Sequence, residues 1–112
     1  IIIIMEKFLS VPVLDAGGTL NQDQLVSCSN ILKIGQTTTS AVAITYLDGK
    51  VVTLTWPNTY ASPILEVSVQ NAVISALESG WTSVSADYLP KGATVNIVTG
   101  VVSNPLSTIV YS

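Results

Sequence analysis

One short turn near the middle of the chain restricts the possible folds more than any other feature. Within residues 41–56, two runs rich in β-branched side chains flank the dipeptide Asp48-Gly49. Such runs favour extended strands, and an Asp-Gly pair between them is a strong hairpin signal. The loop can contain two residues, Asp48 and Gly49, or three, beginning at Leu47, and the two lengths place different side chains on each face.

The distribution of apolar side chains favours the three-residue loop. A two-residue loop would mix threonine with apolar side chains on one face of the hairpin. The longer loop places Tyr46 opposite Lys50 and separates the faces. Its apolar face consists of Val42, Ile44, Tyr46, Val52, Leu54 and Trp56. We therefore predict the three-residue loop, with Gly49 at positive φ in a G1 bulge.

A single helix is predicted after this hairpin, over residues 62–79. Ser62 is a favourable N-cap, Pro63 suits the first helical position, and Gly80 suits the C-terminal cap. Apolar residues then recur at helical spacing. The predicted packing face consists of Leu65, Val69, Val73, Ala76 and Leu77. Because β-branched residues weaken its intrinsic propensity, this helix depends on packing against a sheet.

Alternating apolar residues predict further strands on both sides of these elements. Before the hairpin we expect strands at residues 9–13 and 25–34, with a polar turn between them at residues 19–24. Residues 35–40 are predicted to be a solvated connection or the exposed end of a strand. After the helix, strand character returns at residues 81–86, 93–99 and 106–111.

These elements predict one α+β domain over residues 5–112. We expect a small, strongly bent antiparallel β-sheet or partial barrel with the helix packed on it. Residues 1–4 are isoleucines that precede Met5, and we expect them to be a non-native or upstream extension. The alternative is a β-strand extension that pairs with another subunit. Four apolar residues are too few for a signal peptide or a membrane span.

The polar residues exclude most catalytic chemistry. The chain has no histidine, and its four basic residues are all lysines. Its single cysteine, Cys28, is expected to be a buried small hydrophobe rather than a free reactive thiol. No serine lies three residues before a lysine, and no glycine-rich phosphate loop is present. We therefore predict no catalytic residue, no cofactor and no metal site, and expect that the protein is not an enzyme.

Carboxylate pairs are the one catalytic arrangement that the sequence leaves open. Glu66 and Glu78 flank the predicted helix and Asp87 lies beyond it, but no motif brings them together. The favourable field at a helix N-terminus explains Glu66 without catalysis. Nucleic acid is not an expected ligand, because the net charge is −3 and the lysines are dispersed.

Several segments resemble short uncharacterised proteins encoded by marine tailed phages, particularly phages of cyanobacteria. The matching segments are Met5 to Leu9, Leu25 to Ser27, Ile44 to Leu54 and Val73 to Trp81. The resemblance implies a viral origin, a location in the virion or host cytoplasm, and other virion proteins as partners. The small bent sheet with one helix is also similar to Sm-like ring-forming domains. Here the helix follows the main hairpin and basic RNA-facing residues are missing.

The shortage of charge predicts self-association. Charged residues make up 10 % of the chain, against about a quarter in an average soluble domain. The terminal segment is apolar on both faces, so a lone subunit would expose it. The expected subunit interface consists of Trp81, Leu106, Ile109, Val110 and Tyr111. We predict a non-enzymatic structural or assembly protein that forms a homo-oligomer; the alternative is an Sm-like binding module for RNA or a small ligand.

Overall fold

The computed structural model describes residues 7–14, 21–78, 85–99 and 102–112. These residues form one helix and nine strands, so the predicted α+β class is confirmed. In chain order the elements are β1 (Phe8–Leu14), β2 (Asn21–Ser27), β3 (Ile31–Thr38), β4 (Ala41–Tyr46), β5 (Val51–Thr55), α1 (Ile64–Glu78), β6 (Ser85–Asp87), β7 (Thr94–Val95), β8 (Val102–Ser103) and β9 (Thr108–Tyr111).

The strands form two larger sheets and a small ribbon. The orders are β2-β1-β6, β3-β4-β5-β9 and β7-β8. The β3-β4-β5-β9 sheet is antiparallel, as predicted, whereas the parallel β1–β6 pair makes the other larger sheet mixed. A parallel neighbour requires a crossover connection, and α1 precedes β6 in the chain. A parallel bridge between Val13 and Leu106 links the two larger sheets just before the chain enters β9.

The central hairpin has the predicted three-residue loop. The Tyr46 N–H donates to the Lys50 carbonyl at 2.9 Å, and Gly49 has φ of 90°. Thr45 pairs with Val51, which continues the register expected from the side-chain pattern. All six side chains of the predicted apolar face are buried in the core between the sheets and the helix. Side-chain parity therefore identified the correct loop length.

The helix packs through four of the five predicted residues. Leu65, Val69, Val73 and Ala76 are buried against the sheets. The prediction for Leu77 is wrong, because its side chain is 52 % exposed. One residue advances a helix by about 100°, so the position after Ala76 turns away from the core.

The N-terminus of α1 is capped by a strand rather than by the predicted Ser62. The Gln36 side-chain oxygen in β3 accepts from the Leu65 and Glu66 N–H groups at 3.1 and 3.4 Å. In return, the Gln36 N–H donates to the Glu66 carboxylate at 3.1 Å. The helix begins at Ile64, after a cis Ser62–Pro63 bond. This reciprocal pair satisfies helix N–H groups that would otherwise lack partners.

Two strand predictions differ from the structure before the hairpin. Residues 25–34 are not one strand, because the chain turns around Asn30, which has φ of 61°. Asparagine tolerates this left-handed conformation better than most residues. The polar residues 21–24, predicted as a turn, belong to β2 at the edge of its sheet. Residues 35–38 continue β3, in agreement with the strand-end alternative.

The single cysteine lies in the core, as predicted. Cys28 is buried, and burial raises the pKa of its thiol to about 11, so it is protonated at neutral pH. Trp56 is buried in the same cluster, also as predicted. Its indole nitrogen is a buried donor without a hydrogen-bond partner in the described part of the chain.

Candidate interaction surfaces

The described residues contain no cluster that suggests metal chemistry. No group of three or more Cys, His, Asp or Glu side chains among them could hold a metal ion. Glu66 joins α1 to β3 through Gln36, whereas Glu78 and Asp87 are exposed. No helix in these ranges combines the length and apolar character needed to cross a membrane. The surfaces and cavities of the molecule are the remaining candidates for a functional site.

The predicted interface residues lie in different environments. Trp81 lies outside the described residues. The sequence predicted Leu106 at a subunit interface. In the structure its side chain is instead fully buried in this chain's own core. Ile109 is half-buried opposite Leu54 of β5. Val110 and Tyr111 are more than half exposed and remain available at the surface.

An apolar cavity lies at the turn end of the central hairpin. Its volume is about 750 Å³. Its apolar lining comes from both larger sheets and consists of Phe8, Leu25, Tyr46, Leu47, Val52 and Tyr111. Asp48 and Lys50 contribute polar groups from the hairpin turn. An apolar centre with a few polar groups is typical of ligand pockets and of interface cores.

Two tyrosines of the four-stranded sheet bond to β2 across this cavity. The Tyr46 hydroxyl donates to the Ser27 carbonyl, and the Tyr111 hydroxyl donates to the Leu25 carbonyl at 3.1 Å. Burial, followed by nearby Cys28, Tyr111 and Asp48, raises the pKa of Tyr46 to about 12. Both phenols therefore act as hydrogen-bond donors that hold the cavity walls together, and Tyr46 is not a base at neutral pH.

A second apolar feature is the tip of the β7–β8 ribbon. Ile97 and Val98 are 97 % and 89 % exposed, the highest values of any large apolar side chains described. The Asn96 side-chain oxygen accepts from the Val98 and Thr99 N–H groups at 2.9 and 3.2 Å. These bonds form an Asx-type turn that fixes the backbone beneath the two apolar side chains. The exposed residues therefore lie on an ordered turn.

The base of this ribbon lies at the far end of the four-stranded sheet from the cavity. Tyr60, which follows β5, donates its hydroxyl to the Lys91 carbonyl at 3.0 Å. After the ribbon, the Ser107 N–H donates to the carbonyl of Thr55, the last residue of β5. The cavity instead adjoins the turn that precedes β5. The strands between the two ends span roughly 20 Å, at about 3.3 Å per residue.

The outward face of α1 also carries apolar side chains. Ile64, Val67, Ile74 and Leu77 are each more than 40 % exposed. A shallower cavity of about 490 Å³ adjoins the first turns of this face and includes Lys91. These side chains are less exposed than Ile97 and Val98 of the ribbon tip.

Sequence reasoning missed the ribbon tip and most of the cavity lining. The prediction that residues 93–99 alternate as one strand is wrong: only Thr94 and Val95 do so, because Asn96 starts a turn. A signal for the surface was present, since residues 92–112 contain no charged side chain. The cavity depends on contacts between distant strands, such as Tyr111 with Leu25, which no local pattern predicts.

Comparison with models of protein families, with curated proteins and with solved structures gives no match to this chain.

Proposed function

We propose that this protein is a non-enzymatic structural or assembly protein, of the kind found in phage particles, that acts through self-association. The observation that carries this proposal is the apolar surface of its uncharged C-terminal segment. Between Gly92 and Ser112 there is no charged side chain, and five large apolar side chains are exposed among the residues of this range that the structure describes. They are Val95, Ile97, Val98, Val110 and Tyr111.

This many exposed apolar side chains favour an association that removes them from water. Soluble monomers rarely leave contiguous apolar patches uncovered, and large ones mark interaction sites. Fully burying one such aliphatic side chain stabilises the buried state by about 1.5–3 kcal/mol. Association costs at least about 4 kcal/mol in lost translational and rotational freedom, so several of these side chains must be covered together. A second copy supplies the same surface at equal concentration.

Sedimentation velocity and light scattering test this proposal. We expect species several times heavier than the 11.8 kDa chain at concentrations from about 1 to 100 μM. Association should increase with concentration and should not require a ligand. A protein that remains monomeric throughout this range would contradict the proposal.

A second candidate is a binding module for a small ligand or RNA, and the cavity favours the small ligand. Its volume of about 750 Å³ falls within the range typical of small-molecule sites. RNA is less favoured because Lys50 adjoins this cavity while Lys91 lies beyond the opposite end of the sheet. Binding of RNA through phosphates must weaken steeply as salt rises, so a salt-dependent binding assay separates the two candidates.

A further inference from the structure

We infer that the ribbon tip of one copy inserts into the hairpin cavity of a second copy, so that subunits join head to tail. The inserting tip, Val95, Ile97 and Val98, is named the knob. The receiving cavity, lined by Leu25, Tyr46, Leu47 and Tyr111, is named the hole. This inference rests on the proposed self-association and identifies the two surfaces that would carry it.

The knob has the properties of an inserting element. Ile97 and Val98 are adjacent and almost fully exposed, and Val95 beside them is half exposed. The Asn96 side chain fixes residues 96–99 through two backbone hydrogen bonds, so these residues lose little conformational entropy when they are covered. The Thr94 and Ser103 hydroxyls are hydrogen-bonded to each other at the start of the ribbon. The knob is therefore preorganised.

The hole has the size and chemistry to receive the knob. Its volume of about 750 Å³ is large enough for a drug-sized molecule and thus for two aliphatic side chains. Leu25, Leu47 and Tyr111 line it and are each more than half exposed in a lone subunit. A knob in the hole would cover apolar surface on both copies at once. Asp48 and Lys50 would remain at the rim, where polar groups commonly surround an interface core.

Charge distribution identifies a second copy as the occupant. The chain carries a net charge of −3, so two copies repel each other through most orientations. The knob belongs to the uncharged segment between Gly92 and Ser112, and it can approach the hole without placing like charges together. A basic or acidic partner would find no complementary charge on the knob. A second copy presents this uncharged apolar tip at the same concentration as the hole, so we take it as the occupant.

The positions of the two surfaces define how the copies connect. The hole adjoins the β4–β5 turn, and the knob's ribbon starts beyond the opposite end of the same strands. The hole's lining includes no residue of the ribbon. A subunit that inserts its knob into one neighbour can therefore receive the knob of a different neighbour. Such heterologous contacts form a ring when the rotation closes and a filament when it does not.

Paired variants test this arrangement. The knob variant carries Ile97→Asp and Val98→Asp, and the hole variant carries Leu25→Asp and Leu47→Asp. All four positions are exposed, so both variants should fold, which circular dichroism and urea unfolding would check. Leu77→Asp is the matched control, because Leu77 is about as exposed as Leu25 but lies on α1, outside both surfaces. Sedimentation velocity is measured for each protein alone and for mixtures.

We expect each variant alone to be monomeric, with an apparent dissociation constant raised at least about 30-fold, while the control assembles like the parent. An equimolar mixture of the two variants should stop at a dimer, because only one intact knob and one intact hole remain. Assembly of the parent beyond a dimer distinguishes this head-to-tail arrangement from a two-fold dimer in which two copies insert their knobs reciprocally.

Three other results would overturn the inference. If the parent assembles and the knob variant assembles equally well, self-association stands but this interface is wrong. If the parent is monomeric, the proposed function fails as well. If the monomeric parent binds phosphatidylcholine vesicles and the knob variant does not, the knob serves a lipid surface rather than a second copy.

Discussion

Single residues hold the base of the ribbon against the rest of the fold, and Gly92 is the clearest case. Gly92 has φ of 81°, a conformation that side chains with a Cβ disfavour. A Cβ at this position would collide with the Tyr60 hydroxyl, which itself donates to the Lys91 carbonyl. Gly49 has a similar φ of 90° but open space around it. Substitutions at the two glycines therefore distinguish the cost of backbone strain from the cost of a steric clash.

We predict that Gly92→Ala destabilises the protein more than Gly49→Ala does. Gly49→Ala should cost about 1–2 kcal/mol through its left-handed backbone alone. Gly92→Ala should cost at least about 1 kcal/mol more, because the Tyr60 hydroxyl must move and lose its hydrogen bond. Urea unfolding measures both free energies. In a Tyr60→Phe background the colliding oxygen is gone, and the additional cost should disappear; an unchanged difference would contradict this explanation.

The raised pKa of Tyr46 predicts a specific loss of stability at high pH. Its folded pKa of about 12 exceeds the ordinary value of 10, so the folded state holds the proton more tightly. This stabilisation is complete below about pH 10 and is lost as the pH rises toward 12. The full shift corresponds to about 2.7 kcal/mol, and solvent at the cavity reduces it to about 1–2 kcal/mol.

Urea unfolding at pH 8 and pH 11.5 measures this effect, with Tyr46→Phe as the comparison. The parent should lose about 1–2 kcal/mol more than the variant over this interval, because the variant has no phenol to titrate. Cys28, Tyr88 and Tyr111 also have raised pKa values, but they are present in both proteins. Equal losses would show that Tyr46 does not titrate as described.

Among the elements, α1 depends on a narrow packing face. Leu65 is fully buried and Leu77 is half exposed, although both are leucines of one helix. We predict that Leu65→Ala destabilises the protein by about 2–5 kcal/mol and Leu77→Ala by less than about 1 kcal/mol. Chemical denaturation of the two variants compares them directly. Similar losses would mean that Leu77 packs against the core after all.

Elements formed by interactions between residues close in sequence could be predicted, and those formed by distant segments could not. The central hairpin was predictable because parity and Asp48-Gly49 act locally. The helix was predictable from its spacing, but its cap comes from Gln36, about 30 residues earlier, and no local signal reveals that. The parallel β1–β6 pairing and the cavity between the sheets likewise arise from contacts between distant segments.

For the whole molecule, the proposed assembly predicts a characteristic response to solution conditions. Apolar association weakens on cooling, whereas salt does not weaken an uncharged contact and screens only the repulsion between the net charges of the copies. We therefore expect the oligomer to dissociate partly on cooling from about 25 to about 5 °C and to persist from about 0.05 to about 1 M NaCl. Sedimentation velocity under these four conditions measures both effects. Dissociation in high salt would indicate that ion pairs hold the copies together, and it would contradict an uncharged interface.

The two tyrosine hydroxyls that donate to β2 carbonyls also affect how the chain avoids fibrous aggregation. The Cys28 N–H points to β1, so the alternating carbonyls of Leu25 and Ser27 point to the open edge of the sheet. Open edges of this kind recruit further strands and can initiate amyloid. Tyr46 and Tyr111 already donate to both carbonyls, which makes them poorer acceptors for an incoming strand. The two phenols that line the cavity therefore also disfavour the addition of strands from other copies to this edge of the sheet.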